Sequence, residues 1–199
     1  MRIAVFCSGN GTNLQAIIDA AKREFIKADL ALVVADNAEA YALVRAKKAN
    51  IQTFVLAKKG FKTREEYDKE VIKKLEEEKI DLIVLAGFMR LLSSYFVNKY
   101  KNRILNIHPA LLPSFKGTHG IKDALHYGVK VTGPTVHFVD EGLDSGPIIL
   151  QEVVEVKSDD TEETLAERIH KKEHVIYPKA IKWFVEGKLK VNGRQVLIR

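Results

Sequence analysis

The chain has 199 residues, 46% of them hydrophobic, with 32 Lys and Arg against 26 Asp and Glu for a net charge of +6. A chain of this length buries one substantial core, which predicts a single domain over residues 1–199. The one cysteine, Cys7, excludes an internal disulfide, no Cys/His cluster has zinc spacing, and no apolar run approaches the roughly 20 residues of a membrane helix. Basic residues alternate with acidic ones, as over Lys69 to Lys79, which disfavours a nucleic-acid stripe and makes an anionic small molecule the simpler partner. The apolar start Ile3 to Cys7 is only a strand's length and meets a Gly-rich turn, unlike a signal peptide, so a cytoplasmic protein without metal is expected.

In chain order, the apolar runs Ile3–Phe6, Leu30–Val34, Thr53–Val55 and Leu82–Ala86 predict strands covered on both faces. Between them, helical patterns over about 12–24, 39–49 and 63–79 are long enough to cross a sheet. This alternation predicts an α/β fold in three layers, a mostly parallel twisted sheet with helices on both faces and a Rossmann-like N-terminal half. Beyond residue 100 come a strand over Ile104–Ile107, a helix near 119–127, and strands over about 131–139 and 148–156. Their link, Asp140 to Gly146, is too short for a parallel crossover, which predicts an antiparallel C-terminal part. Ser158 to Thr161 offer N-caps for a long helix over about 161–186, ended at Gly187, and Val191–Arg194 reads as a hairpin.

Ser8-Gly9-Asn10-Gly11-Thr12-Asn13-Leu14 lies between the first strand and the first helix, where backbone N–H groups and the helix dipole favour an anion. The dinucleotide fingerprint wants a third glycine where Leu14 stands, and Asp36 only partly restores the match, so a single phosphate is better supported than NAD. Asn106 and His108 flank Ile107 at a strand end, so alternation turns both to one face, where ligands bind in α/β sheets. Asp144, in the turn Gly142-Leu143-Asp144-Ser145-Gly146-Pro147, is a candidate to accept a hydrogen bond from His108 and favour its protonated form. With Asn106 as a donor to a developing oxyanion, the three suit acyl transfer to an external nucleophile, since no Ser or Cys accompanies them.

These motifs, together with Leu85-Ala86-Gly87-Phe88-Met89-Arg90 and Asn106-Ile107-His108-Pro109-Ala110-Leu111-Leu112-Pro113, closely resemble the phosphoribosylglycinamide formyltransferase family, folate-dependent enzymes of purine synthesis. The resemblance runs nearly the whole chain. It implies direct transfer of formyl from 10-formyltetrahydrofolate to the glycinamide amine through a tetrahedral intermediate, with Asn106, His108 and Asp144 catalytic. By the same resemblance Gly11, Thr12, Asn13, His170 and Glu173 would contact the phosphorylated acceptor. Arg64 would meet the folate's glutamate end, while Met89, Arg90, Leu91, Leu92, Asn106, Asp140, Glu141, Gly142, Leu143 and Asp144 would line the folate site. The implied halves are a phosphate-binding 1–100 and a catalytic and folate-binding 101–199, with small molecules as the only ligands and a monomer or homodimer as the working form. His170 stands where many members have glutamine, and His119 lies near Ile121, where some members carry histidine.

Alternatives remain. A methionyl-tRNA formyltransferase typically has alanine at Pro109 and an added C-terminal RNA-binding domain, for which this chain is expected to be too short. A formyltetrahydrofolate hydrolase would use the same three residues with water. A non-catalytic nucleotide-binding module would keep the phosphate loop without needing Asn106, His108 and Asp144 together.

Overall fold

The computed structural model describes all residues 1–199. Its first half alternates as expected: β1 (Arg2–Cys7), α1 (Thr12–Lys22), β2 (Asp29–Ala35), α2 (Tyr41–Lys48), β3 (Gln52–Val55), α3 (Arg64–Glu77), β4 (Leu82–Leu85), α4 (Ser94–Lys99) and β5 (Ile104–His108). There follow α5 (Gly120–Tyr127), β6 (Val131–Thr132), β7 (Thr135–Phe138), β8 (Ile148–Gln151), β9 (Val154–Glu155), α6 (Glu162–Val185), β10 (Leu189–Asn192) and β11 (Gln195–Ile198). The main sheet has seven strands in the order β3-β2-β1-β4-β5-β7-β8. The first five pair in parallel, and β7 and β8 add to β5 in antiparallel fashion.

Alternation along β1 divides the core. Ile3, Val5 and Cys7 face one layer with residues of α1, α2 and α6, whereas Ala4 and Phe6 face the other with residues of α3 and α4. All five are fully buried, and burial pushes the Cys7 thiol up to about 12, so it stays protonated and packs as a small apolar group.

Capping fixes two helix starts. Thr63 accepts from the Glu66 N–H while the Glu66 side chain accepts from the Thr63 N–H, and Thr161 and Thr164 form the same reciprocal pair ahead of α6. Helix α6 then lays Tyr177 under the sheet, where its buried hydroxyl donates to the Leu85 and Leu105 carbonyls at 2.8 and 3.0 Å. Leu85 ends β4, and Leu105 lies in β5 directly before Asn106, which belongs to the site described below. The single O–H is shared between two carbonyls that also belong to the paired β4–β5 ladder, so Tyr177→Phe is expected to cost about 0.5–1.5 kcal/mol, lowering Tm by roughly 1–6 °C; an unchanged melting curve would count against this role.

Two expectations need correction. The strands expected over 131–139 and 148–156 are each broken, at Gly133-Pro134 and Glu152-Val153, and the outer pieces β6 and β9 form a separate two-stranded ladder. Pro134 has no N–H to give a ladder, and Gly133 has φ +144° with the Glu152 carbonyl oxygen 1.9 Å from where a Cβ would lie. Helix α4 is additional: its six residues are too few to display a period, and Ser93, which caps it by accepting from the Phe96 N–H, is its best local signal.

Candidate active site

The parallel sheet ends where β5 meets β7, and that antiparallel seam builds the site. Its register sets Asn106 opposite His137 and His108 opposite Thr135. The loop after β5 is pinned from the next two strands: Thr135 Oγ1 donates to the Ala110 carbonyl at 2.7 Å, and Gln151 Nε2 donates to the Leu112 carbonyl at 2.9 Å. The Leu112–Pro113 peptide within it is cis.

His137, buried in β7, was not a sequence candidate, yet it orders the centre. Its Nδ1 lies 2.8 Å from the Phe138 carbonyl, a pure acceptor, so Nδ1 carries the proton and Nε2 the lone pair. Burial holds its pKa below the ordinary histidine value, which keeps the ring neutral. Nε2 therefore accepts from the Asn106 Nδ2 amide at 3.2 Å. This fixes which way the carboxamide faces and leaves its second N–H for another acceptor.

The same argument applies to His108, which is 3% exposed. Its Nε2 donates to the Phe115 carbonyl at 2.7 Å, so the nitrogen available for proton transfer is Nδ1. Asp144 Oδ2 stands 3.5 Å from that Nδ1, and Asp144 Oδ1 is 3.7 Å from His137 Nε2. The expected hydrogen bond between His108 and Asp144 is thus at the limit of contact; the short bond at the carboxylate comes instead from the Gly117 N–H, at 2.8 Å. Asp144 adopts a left-handed φ of +46°, in a loop held by Asp140 Oδ1, which accepts from Ser145 Oγ at 2.6 Å and from the Gly142 N–H at 3.1 Å.

Around these groups opens a cavity of about 270 Å³. It brings together Asn106, His108 and Asp144 with Arg64, Met89, Arg90, Leu91, Leu92, Asp140, Glu141, Gly142 and Leu143, and adds His137 and Gly117. Neither Ser nor Cys lines it. At the Arg64 end it continues into a groove lined by Lys58, Lys62, Arg64 and Arg90 with no carboxylate, and Arg90 lies over the Tyr67 ring at 3.9 Å.

The residues expected at the acceptor's phosphorylated end gather elsewhere. Gly11, at φ +74°, precedes the first turn of α1, which no side chain caps, and a Cβ there would sit 2.8 Å from the Ala42 Cβ. Arg45 of α2 fastens the loop through the Asn10 carbonyl and side chain, at 2.9 and 2.8 Å. Thr12 is exposed at the loop's end. Asn13 donates to Glu173 Oε2 at 2.9 Å, and His170 Nδ1 reaches the same oxygen at 3.0 Å. Both halves of the chain contribute to both clusters, which interlocks the division expected at residue 100. His119 N-caps α5 without a side-chain bond, and Ile121 packs beside Leu165 and Ile169.

A free amide N–H and an uncommitted histidine nitrogen on one cavity, with no Ser or Cys beside them, are groups that suit an enzyme passing an acyl group directly to an acceptor rather than through a covalent enzyme species. The sequence profile of the formyl transferase family matches residues 1–181, and the chain belongs to that family. It is 47% identical over 192 residues to the phosphoribosylglycinamide formyltransferase of Escherichia coli, covering 96% of this chain and 91% of that one. The human trifunctional purine biosynthetic protein adenosine-3 is 47% identical over 195 residues, 97% of this chain but 19% of its own length. The crystal structure of glycinamide ribonucleotide transformylase 1 from Symbiobacterium toebii superposes with a TM-score of 0.98 at 46% identity, over 100% of this chain and 93% of that one. No helix is long and apolar enough to cross a membrane.

Proposed function

We propose that this enzyme transfers the formyl group of 10-formyltetrahydrofolate to the amine of 5'-phosphoribosylglycinamide, giving the formylated amide and tetrahydrofolate in purine synthesis. The amine nitrogen attacks the formyl carbon, and the carbonyl oxygen takes up the negative charge. The free Asn106 N–H and a proton on His108 Nδ1 stabilise that oxygen. The new C–N bond remains as the folate nitrogen leaves with a proton, and the proton lost by the amine passes by way of Asp144 and His108. No covalent enzyme species forms.

The observation that carries this reading is the paired aim of Asn106 and His108. Asn106 commits one amide N–H to His137 and His108 commits one ring nitrogen to the Phe115 carbonyl, which leaves the second amide N–H and His108 Nδ1 for a ligand in the cavity that both residues line. On that basis the folate occupies the cavity from Met89–Leu92 to Asp140–Asp144, and Arg64 with its cationic neighbours meets the carboxylates of its glutamate end. Gly11, Thr12 and Asn13, with Glu173 and His170, hold the phosphoribosyl end of the acceptor.

The test mixes purified protein with 10-formyltetrahydrofolate and follows the absorbance of deformylated folate with and without 5'-phosphoribosylglycinamide. Release that depends on the ribonucleotide is expected. Release without it would mean hydrolysis by water, and no release in either mixture would overturn formyl transfer.

A further inference from the structure

The acceptor-side cluster contains a histidine whose two nitrogens do different things. His170 Nδ1 lies 3.0 Å from Glu173 Oε2, and Glu173 is itself only 3% exposed and already takes the Asn13 amide at 2.9 Å. A carboxylate accepts only, so Nδ1 keeps its hydrogen in both charge states of the ring and protonation occurs at Nε2. That nitrogen belongs to a side chain 47% exposed. In the neutral ring Nε2 is a lone pair, which repels an anion; in the protonated ring it is an N–H bearing positive charge.

The surroundings fix the direction of the response. The Glu173 carboxylate raises the His170 pKa above the ordinary histidine value through hydrogen bonding, partly offset by burial. His174, one turn along α6, titrates below its ordinary value because of burial, and Arg45 of α2 adds a fixed positive charge beside it. Asn13, from α1, is uncharged. The cluster also lacks hydrogen-bond partners: Asn13 Oδ1 and His174 Nε2 are both buried with none, the kind of unsatisfied group that a bound ligand or water completes.

Resting on the formyl-transfer reading above, we propose that His170 is a pH-gated binding residue for the phosphoribosyl end of the acceptor, supplying a charged Nε2–H to it when protonated and withdrawing that donor when neutral. A glutamine at this place offers an N–H at every pH but never a charge. The charge is present at low pH and lost as pH rises through the raised His170 pKa, so acceptor affinity falls across that interval. By linkage, acceptor binding takes up protons there. A phosphate monoester sheds its second proton near pH 6 (about 6 for phosphorylated side chains), so over roughly pH 6.5–8.5 the phosphate is mostly dianionic, while the ligand's amine titrates alike with either protein.

Calorimetric titration with 5'-phosphoribosylglycinamide, on the native enzyme and His170→Gln at both ends of that window, provides the test. The ratio of the variant's Kd to the native Kd is expected to be roughly fivefold at the acidic end, the difference between a charged and a neutral hydrogen bond, and to shrink toward unity at the alkaline end. Changes in the ligand's own amine cancel in this ratio. Proton uptake, read from the dependence of the binding heat on buffer ionisation, should fall in the variant. A ratio constant across the window, or proton uptake equal in the two proteins, overturns the proposal, as does failure of the native enzyme to bind the ribonucleotide. Binding with the expected ratio but without formyl transfer would uphold the role of His170 and sink the assigned reaction instead.

Discussion

His108→Ala and Asp144→Asn are each expected to lower kcat by about 10²–10³-fold, the usual effect of deleting one oxyanion-stabilising or proton-handling group, in proteins that still fold cooperatively. In the proposed mechanism His108 contributes the proton at Nδ1, and alanine removes both that nitrogen and the donor to Phe115. The stability cost is about 1–3 kcal/mol for one orphaned carbonyl, too small to unfold a domain of this size. Asp144→Asn keeps the shape of the side chain and its ability to accept from Gly117, but removes the negative charge beside His108 Nδ1. Its loss should therefore fall on turnover while the melting temperature barely moves. In the proposed mechanism His108 and Asp144 serve the same proton, so combining the two substitutions should cost less than the product of the single losses. Turnover in both variants within a few-fold of the native enzyme would remove these residues from the mechanism.

Gly146→Ala is expected to be nearly as damaging to activity and far more damaging to stability. A Cβ at this position would stand 1.8 Å from the Phe138 carbonyl oxygen and 2.8 Å from its carbon. Both are backbone atoms of β7, which cannot swing aside as a side chain would. The Phe138 carbonyl is also the acceptor that sets the His137 tautomer, and His137 in turn aims the Asn106 amide. One methyl thus strains the Asp144 loop and the orientation of Asn106 together. Overpacking of this kind costs about 1–3 kcal/mol, and more where backbone must move, so a fall in Tm of roughly 5–10 °C is expected for a chain of this length. Loss of kcat should persist at temperatures where the variant is fully folded. A variant with native Tm and turnover would show that the loop yields more easily than the contact distances imply.

The sheet was readable because β1, β2 and β4 are continuous apolar runs, a pattern that a strand buried on both faces requires and that needs no distant information. Asn106 and His108 were readable for a related reason, since alternation around Ile107 dictates a shared face whichever strand lies alongside. His137 was not. Within Thr135-Val136-His137-Phe138 it looks like one polar residue in a buried strand, and its meaning comes from lying opposite Asn106, a pairing 31 positions away along the chain. Gly133-Pro134 carries a local signal for the break between β6 and β7, a glycine followed by a residue without an N–H. Glu173 and His170 were legible only through family resemblance, because a charge on a long helix has no local feature that says it will be buried against Asn13.

The sealed thiol of Cys7 gives this enzyme a built-in clock. It ends β1, an interior strand of the sheet, with no exposed surface and is held protonated, so a thiol reagent reaches it only when the sheet opens there. Its labelling rate in native buffer then reports the opening free energy of the whole core rather than the fraying of a loop. The same silence makes the folded chain a blank background, on which a cysteine introduced at exposed Leu143 would be the sole site for a fluorophore following the movements of the Asp140–Gly146 loop.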